Sequence, residues 1–149
     1  MSYQTIFKEE ISEEEFKLID DGIVEHQRML FGEVDRGNLA FFVRDDAGRT
    51  SGGVTGNWSS FGWLYVNSLW VDERLRGQRF GTRLMELIEK AAIKHGCQYS
   101  YLNTMTYQAP DFYRKLGYEE FARLENFPPG YSRLFFRKTL RESSDEVTD

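Results

Sequence analysis

Cysteine and histidine are scarce in this chain, and their scarcity excludes several kinds of site. Cys97 is the only cysteine, so the chain can form no internal disulfide and no zinc site built on cysteines. His26 and His95 are the only histidines, too few to favour a structural metal. We therefore expect no metal. We also expect Cys97 to be a small buried hydrophobic residue and not a nucleophile.

Long hydrophobic runs are also absent. The longest apolar stretch, Leu39–Val43, has five residues, whereas a membrane helix needs about 18. The N-terminus lacks the basic and then apolar pattern of a signal peptide. These absences predict a cytoplasmic protein without a membrane segment.

What the chain does contain is enough apolar material for one core. It has 149 residues, of which 40% are hydrophobic and 15% aromatic, and this length is typical of one domain. We predict a single domain over residues 1–140 and a polar, disordered tail at 141–149.

The net charge of −5 is unevenly distributed. Residues 1–35 carry −7, residues 36–140 carry +5, and the tail carries −3. A basic body favours an anionic ligand such as a phosphate, and an acidic first third favours a cationic one; both are also compatible with ordinary solvated surfaces. No basic stripe interleaved with aromatic residues occurs, so we predict no nucleic-acid partner.

The apolar periodicity predicts alternating strands and helices. Ser12 and Glu15 form a capping box at the start of one or two helices over residues 12–31. A longer helix begins after Gly77 and ends near His95, which we expect to cap it, and a short helix covers Asp111–Leu116. The predicted strands are Tyr3–Lys8, Leu39–Arg44, Gly53–Trp58, Trp63–Val71, Cys97–Thr104, Tyr118–Phe121 and Tyr131–Thr139.

This order of elements predicts the fold class. Trp63–Val71 and Cys97–Thr104 flank the long helix, so they are most simply parallel neighbours joined by a right-handed crossover. The fold is therefore mixed α/β, with a mostly antiparallel sheet, a parallel pair at the fourth and fifth strands, and flanking helices. Because Trp63–Val71 is apolar on both alternations except at Asn67 and Ser68, we expect it to be central and covered on both faces.

The segment from Leu69 to Thr82 carries the clearest chemical signal. A strand leads into a glycine-containing loop that opens a helix, so free backbone N–H groups and the positive end of the helix dipole converge there. Such a site binds anions, and a pyrophosphate is a reasonable ligand for it. Neither the Rossmann glycine pattern nor the P-loop pattern fits. The bases around it are Arg74, Arg76, Arg79 and Arg83.

Two motifs here resemble the GNAT family of N-acetyltransferases. Arg76–Gly81 is similar to the family's (Arg or Gln)-x-x-Gly-x-(Gly or Ala) signature after the fourth strand, with Arg79 at the middle glycine. Ala109 followed by Phe112–Tyr118 resembles the Ala-x-x-x-Tyr-x-x-x-Gly-(Phe or Tyr) segment after the fifth strand, with Thr106 where an Asn is usual. The resemblance spans residues 3–140 in element order.

The resemblance implies acetyl-CoA as cosubstrate, in the gap where the fourth and fifth strands separate. The backbone of Leu69 and Val71 can pair with the amides of its pantetheine arm, and Arg74 can meet its 3′-phosphate. Trp70 is expected to pack its side chain in the core. The expected contacts are Leu69, Trp70, Val71, Arg76, Gly77, Gln78, Arg79, Phe80, Gly81 and Thr82.

The resemblance also implies direct transfer with Tyr113 as the acid. A phenol with a pKa of about 10 stays protonated at neutral pH and can protonate a departing thiolate. A bulge of the fourth strand, carried over to Leu69–Val71, supplies a backbone N–H to the acetyl oxygen. Tyr118 takes the family's core aromatic position. Three residues of the acidic first third, and equally a water chain, are candidates for the base: Glu25, His26 and Glu33.

The sequence thus predicts an acetyl-CoA-dependent N-acetyltransferase acting on the primary amine of a small molecule, with the acidic segment Glu9–Asp35 on the acceptor side. Two alternatives stay open. One is a protein lysine or N-terminal acetyltransferase, and the other is a CoA-binding sensor module without turnover. The acceptor's identity does not follow from the sequence, and the composition does not decide whether the chain forms a homodimer.

Overall fold

The computed structural model of the chain describes residues 1–141. They belong to two compact units, residues 1–34 and residues from Asp35 onward, and each unit is described by itself. The tail predicted to be disordered lies, from residue 142 on, outside the described residues.

The first unit contains one helix, α1 (Glu13–Phe31). Its predicted capping box is confirmed: the Ser12 Oγ accepts a hydrogen bond from the Glu15 N–H at 3.1 Å, and the Glu15 carboxylate accepts one from the Ser12 N–H at 3.3 Å. The strand predicted at Tyr3–Lys8 is wrong, because these residues pair with no described strand. An alternating sequence forms a strand only where a partner completes its ladder.

The second unit contains the strands β1 (Arg36–Arg44), β2 (Thr50–Ser59), β3 (Trp63–Val71), β4 (Tyr99–Met105), β5 (Glu119–Glu125) and β6 (Ser132–Thr139). They form one six-stranded sheet in the order β1-β2-β3-β4-β6-β5. The β3–β4 pair is parallel, and the other neighbours are antiparallel. This confirms the mixed α/β fold and the central place of β3. The parallel pair consists of the runs predicted as fourth and fifth strands, which become third and fourth because the N-terminal strand is missing.

Two helices follow the strands that form the parallel pair. After β3, a short 3₁₀ turn at Glu73–Leu75 leads into α2 (Phe80–Lys94), and after β4 comes α3 (Pro110–Lys115). His95 is the C-cap of α2, as predicted, and its ring stacks on Trp58 with the centroids 4.0 Å apart.

The core of the second unit lies between α2 and one face of the sheet. Cys97 is fully buried there, as predicted. On β3, Leu64 and Val66 are buried, but the side chains of Trp63 and Trp70 are 36% and 53% exposed. The expectation that β3 is covered on both faces is therefore wrong, because alternate side chains point away from the face that packs on α2. The core residues shared by α2 and the sheet include Val54, Leu64, Val66, Leu84, Met85, Ile88, Ala92, Leu102, Leu134 and Phe136.

Within residues 1–141, no helix combines the length and apolar character that crossing a bilayer requires. The same residues contain no group of three or more His, Cys, Asp or Glu side chains arranged to hold a metal ion.

Candidate active site

The parallel strands β3 and β4 separate after three paired residues. The ladder joins Trp63–Tyr65 to Tyr99–Tyr101 and then stops. Beyond this point β3 keeps its pairing with β2 on one side only. The backbone of residues 66–71 therefore has no strand partner on the side of β4, which leaves a row of open peptide groups.

A bulge in β3 accompanies this separation. Val66 pairs with Gly56 and Ser68 pairs with Thr55, so Asn67 is the extra residue that has no partner on β2. A bulge bends its strand and increases the local twist, and this one turns β3 away just where the pairing with β4 ends. The bulge was expected at Leu69–Val71, and it lies at Asn67 instead because bulge position depends on the register with β2.

The separated strands, the loop before α2, and α3 enclose a cleft of about 920 Å³. All but one of the expected cosubstrate contacts line this cleft, together with Tyr113. The exception is Gln78, which does not line it. Those that do are Leu69, Trp70, Val71, Arg76, Gly77, Arg79, Phe80, Gly81, Thr82 and Tyr113.

The loop at the start of α2 has a left-handed backbone at two places. Gly77 has a φ of 80°, and Arg79, the N-cap of α2, has a φ of 65°. The family's signature has glycine at the Arg79 position, and the observed φ explains why, since glycine takes this conformation without steric cost. Arg79 therefore combines a strained backbone with a cation at the rim of the cleft.

The four arginines around this loop do not behave alike. Arg76 and Arg79 line the cleft, whereas Arg83 lies over the Phe80 ring with its guanidinium carbon 5.4 Å from the centroid. Arg74 donates to both oxygens of Asp72 at 3.0 Å, and this pairing lowers the pKa of the Asp72 carboxyl to about 2. Arg74 is thus already held by a carboxylate, which weakens its expected role as a phosphate ligand.

Gly81 brings α2 and α3 together. A Cβ at this position would lie 3.3 Å from the Cζ of Phe112, so the absence of a side chain lets the Phe112 ring approach α2. The neighbouring residue on α3 is Tyr113, and its position in the cleft therefore depends on this contact.

Tyr113 and Tyr118 are both aromatic but have different surroundings. The Tyr113 ring packs against Phe112, Tyr118 and Phe136, and no described residue hydrogen-bonds its hydroxyl. Burial raises the pKa of this phenol. The Tyr118 hydroxyl instead donates to Glu89 at 3.2 Å and pairs with Ser100 at 2.8 Å. Tyr118 is only 3% exposed, which confirms it as a core residue.

The candidate bases lie in the first unit. Glu25 and Glu33 both form ion pairs with Arg28, at 2.8 and 2.9 Å, and His26 is exposed. None of the described residues that line the cleft is an Asp, Glu or His. Sequence reasoning missed several polar residues that do line it, such as Asn103 and Gln108. No sequence motif marks them, because the separation of β3 from β4 is what exposes them.

Comparisons with known proteins agree with this geometry. Residues 3–118 match the model of the Acetyltransferase (GNAT) family. An acetyltransferase from Agrobacterium fabrum strain C58 is 34% identical over 122 residues, which cover 82% of this chain and 88% of that protein. A blasticidin-S acetyltransferase from Streptomyces morookaense is 35% identical over 102 residues, covering 68% and 74% respectively.

Among solved structures, a crystal structure of an acetyltransferase from Bacillus cereus ATCC 14579 superposes with a TM-score of 0.80 at 31% identity. The superposition covers 90% of this chain and 97% of that one. The family match extends over most of the chain and includes the loop, the cleft and Tyr113. The chain therefore belongs to the GNAT acetyltransferase family.

Proposed function

We propose that the protein uses acetyl-CoA to acetylate the primary amine of a small molecule by direct transfer. One observation carries this proposal: a single cleft has a cationic, glycine-containing loop at a helix N-terminus, an open strand edge and a phenol without a described hydrogen-bond partner. Bound acetyl-CoA supplies the acetyl group as an activated thioester. A small acceptor is supported by the relative from Streptomyces morookaense, which is named for the small molecule that it acetylates.

The loop before α2 fits the diphosphate of the cosubstrate. Arg76 and Arg79 provide positive charge, and the free N–H groups at the start of α2 add hydrogen-bond donors and the helix dipole. Gly77, Phe80, Gly81 and Thr82 form the surrounding wall. Gln78 does not line the cleft.

The open edge of β3 fits the pantetheine arm. Its peptide groups between residues 66 and 71 lack a partner on the β4 side, and an extended chain with amides can pair with such an edge. We assign this contact to Leu69, Trp70 and Val71. The expectation that Trp70 packs in the core is wrong, since its side chain is half exposed and lines the cleft.

Tyr113 is the proton donor in this proposal. Its hydroxyl has no described hydrogen-bond partner, and its raised pKa keeps the proton in place at neutral pH. The amine nitrogen bonds to the acetyl carbon, the carbon–sulfur bond breaks, and Tyr113 gives its proton to the departing thiolate. The nitrogen releases one proton to solvent, and Tyr113 takes one back from solvent, so that the proton count closes. The bulge at Asn67 offers a backbone N–H for the charge that develops on the acetyl oxygen, a type of donor worth about 3 to 4 kcal/mol in other enzymes. We assign no base.

Tyr113→Phe tests the proposal most directly. We expect kcat to fall by about 100-fold or more, since general acid catalysis is worth this much, while the Kd for acetyl-CoA stays unchanged. The measurement is free thiol release with a panel of polyamines, amino sugars, amino acids and peptides, together with calorimetric titration of acetyl-CoA. Tyr99→Phe is the matched control, because Tyr99 stacks on Trp63 and does not line the cleft.

The pH dependence of kcat provides a second readout. Because burial raises the pKa of Tyr113, the acid form persists above pH 10, where an ordinary phenol titrates. The parent protein should lose activity only above about pH 10, and Tyr113→Phe should lack this decline. Unchanged turnover in the variant would exclude Tyr113 as the acid. Acetyl-CoA binding without turnover of any amine would favour a sensor.

A further inference from the structure

A second cavity of about 630 Å³ adjoins the cleft. Four residues line both spaces: Asn67, Asn103, Tyr107 and Gln108. A molecule in the second cavity therefore lies next to the bulge of β3, at the point where β3 and β4 separate. Its volume is in the range of cavities that bind small molecules.

The second cavity has one charged side chain. Among the described residues that line it, Arg133 carries a charge, and the others are amide, aromatic or apolar. Arg133 lies on β6, paired with Met105 of β4 and Leu124 of β5. The loop between β5 and β6 closes over it, so that the guanidinium carbon is 4.3 Å from the centroid of the Phe127 ring.

Beyond its contact with the Phe127 ring, the Arg133 side chain has no polar partner in the described part of the chain. Its Nε is buried without a hydrogen bond, and no carboxylate among residues 1–141 forms an ion pair with it. Four residues further along the same strand, Arg137 donates to Glu119 at 3.2 Å. A buried charged donor without a partner is costly. Because Arg133 also lines the second cavity, a ligand bound there can supply the negative group that the described part of the chain does not.

We propose that the amine acceptor carries a carboxylate that binds Arg133 in the second cavity. A guanidinium matches a carboxylate with two parallel hydrogen bonds. One arginine among neutral amides balances one negative charge, which favours a carboxylate over a doubly charged phosphate. The apolar walls formed by Met105, Phe127 and Pro128 receive the carbon skeleton, and the amine points toward the cleft. This inference depends on the proposed acetyltransferase function and names its substrate class.

Matched acceptors test the carboxylate. The panel consists of 4-aminobutanoate, 6-aminohexanoate and phenylalanine, each beside its methyl ester and the corresponding amine without the acid group. We expect kcat/KM to be at least about 10-fold higher for the best free acid than for its uncharged partners. In Arg133→Gln this preference should disappear, with the KM of the acids raised about 10- to 100-fold, the range for a charge-assisted hydrogen bond, and kcat nearly unchanged.

Two further variants distinguish the loss of the charge contact from a folding defect in Arg133→Gln. Arg133→Lys retains the charge and should keep part of the preference. Asn126→Asp places a negative charge in the same cavity, so it should lower kcat/KM for the free acids and leave kcat/KM for the uncharged amines unchanged. The acetyl-CoA Kd, measured in parallel, should stay the same in all three variants. The carboxylate inference is refuted if kcat/KM is equal for the free acids and their uncharged partners, or if Arg133→Gln lowers kcat/KM equally for both. Neither result refutes the proposed function. Absence of turnover with every amine refutes the proposed function itself.

Discussion

Arg79 combines two opposing properties at one residue. Its φ of 65° is unfavourable for any residue with a Cβ, and its cationic side chain lines the cleft. Arg79→Gly removes both. We expect the free energy of unfolding to rise by about 1 kcal/mol, because glycine adopts this conformation without strain. The acetyl-CoA affinity should fall about 10-fold through the loss of a charge-assisted phosphate contact.

Urea denaturation and calorimetric titration measure these two effects separately. Arg79→Lys is the matched control, since it keeps both the charge and the strained backbone and should change neither quantity by much. If Arg79→Gly bound acetyl-CoA as tightly as the parent, the arginine would have no part in phosphate binding. A loss of stability in the same variant would mean that the backbone there is unstrained.

At the scale of elements, α2 and α3 approach each other closely at Gly81. A Cβ on Gly81 would meet the Phe112 ring at 3.3 Å, so Gly81→Val has to displace that ring and with it the helix that carries Tyr113. Overpacking of this kind costs about 1 to 3 kcal/mol of unfolding free energy. We also expect kcat to fall at least about 10-fold, since Tyr113 shifts in the cleft.

A double-mutant cycle isolates this contact. Phe112→Leu offers room for the added methyl groups, so Gly81→Val should cost much less stability and turnover in that background. Urea denaturation and initial rates of thiol release are measured for all four proteins. Additive effects of the two substitutions would show that the Phe112 ring is not what Gly81 accommodates.

The sequence predicted those elements whose patterns depend on local chemistry. The capping box at Ser12, the helix after the glycine loop and the short helix with Tyr113 all follow from spacing and from start and stop residues. The strand expected at Tyr3–Lys8 does not form, because periodicity does not reveal a ladder partner. The bulge at Asn67 depends on the register of β3 with β2, which no single strand encodes.

The residues of the candidate site likewise fall into those that local motifs predict and those that only strand pairing positions. Short sequence motifs contain both the loop Arg76–Thr82 and Tyr113, so the sequence alone was enough to predict them as site residues. Arg133 carries no motif. It reaches the second cavity only because β6 pairs with β4 and because Phe127, in the loop before β6, lies against its guanidinium. Residues whose role depends on pairing between distant strands are therefore the ones that sequence reasoning missed.

At the scale of the whole second unit, one buried polar network connects α2 with the sheet. Glu89 on α2 accepts hydrogen bonds from Lys138 of β6 at 2.7 Å and from Tyr118 at 3.2 Å. Tyr118 also pairs with Ser100 of β4 at 2.8 Å. Burial, together with the Glu89 charge, raises the pKa of Tyr118, so its hydroxyl remains a donor. Three elements are thus joined around a carboxylate that is only 9% exposed.

Removing this carboxylate should destabilise the whole unit. Glu89→Ala leaves the Lys138 ammonium and the Tyr118 hydroxyl without their acceptor, so we expect a loss of about 2 to 3 kcal/mol in unfolding free energy. Glu89→Gln keeps an acceptor and should lose less. The double variant Glu89→Leu with Lys138→Leu should recover most of the loss, because it removes both charges together. Urea denaturation measures these variants together with the single changes Glu89→Leu and Lys138→Leu. A double variant that loses as much stability as these two single changes added together would show that Glu89 and Lys138 do not stabilise each other.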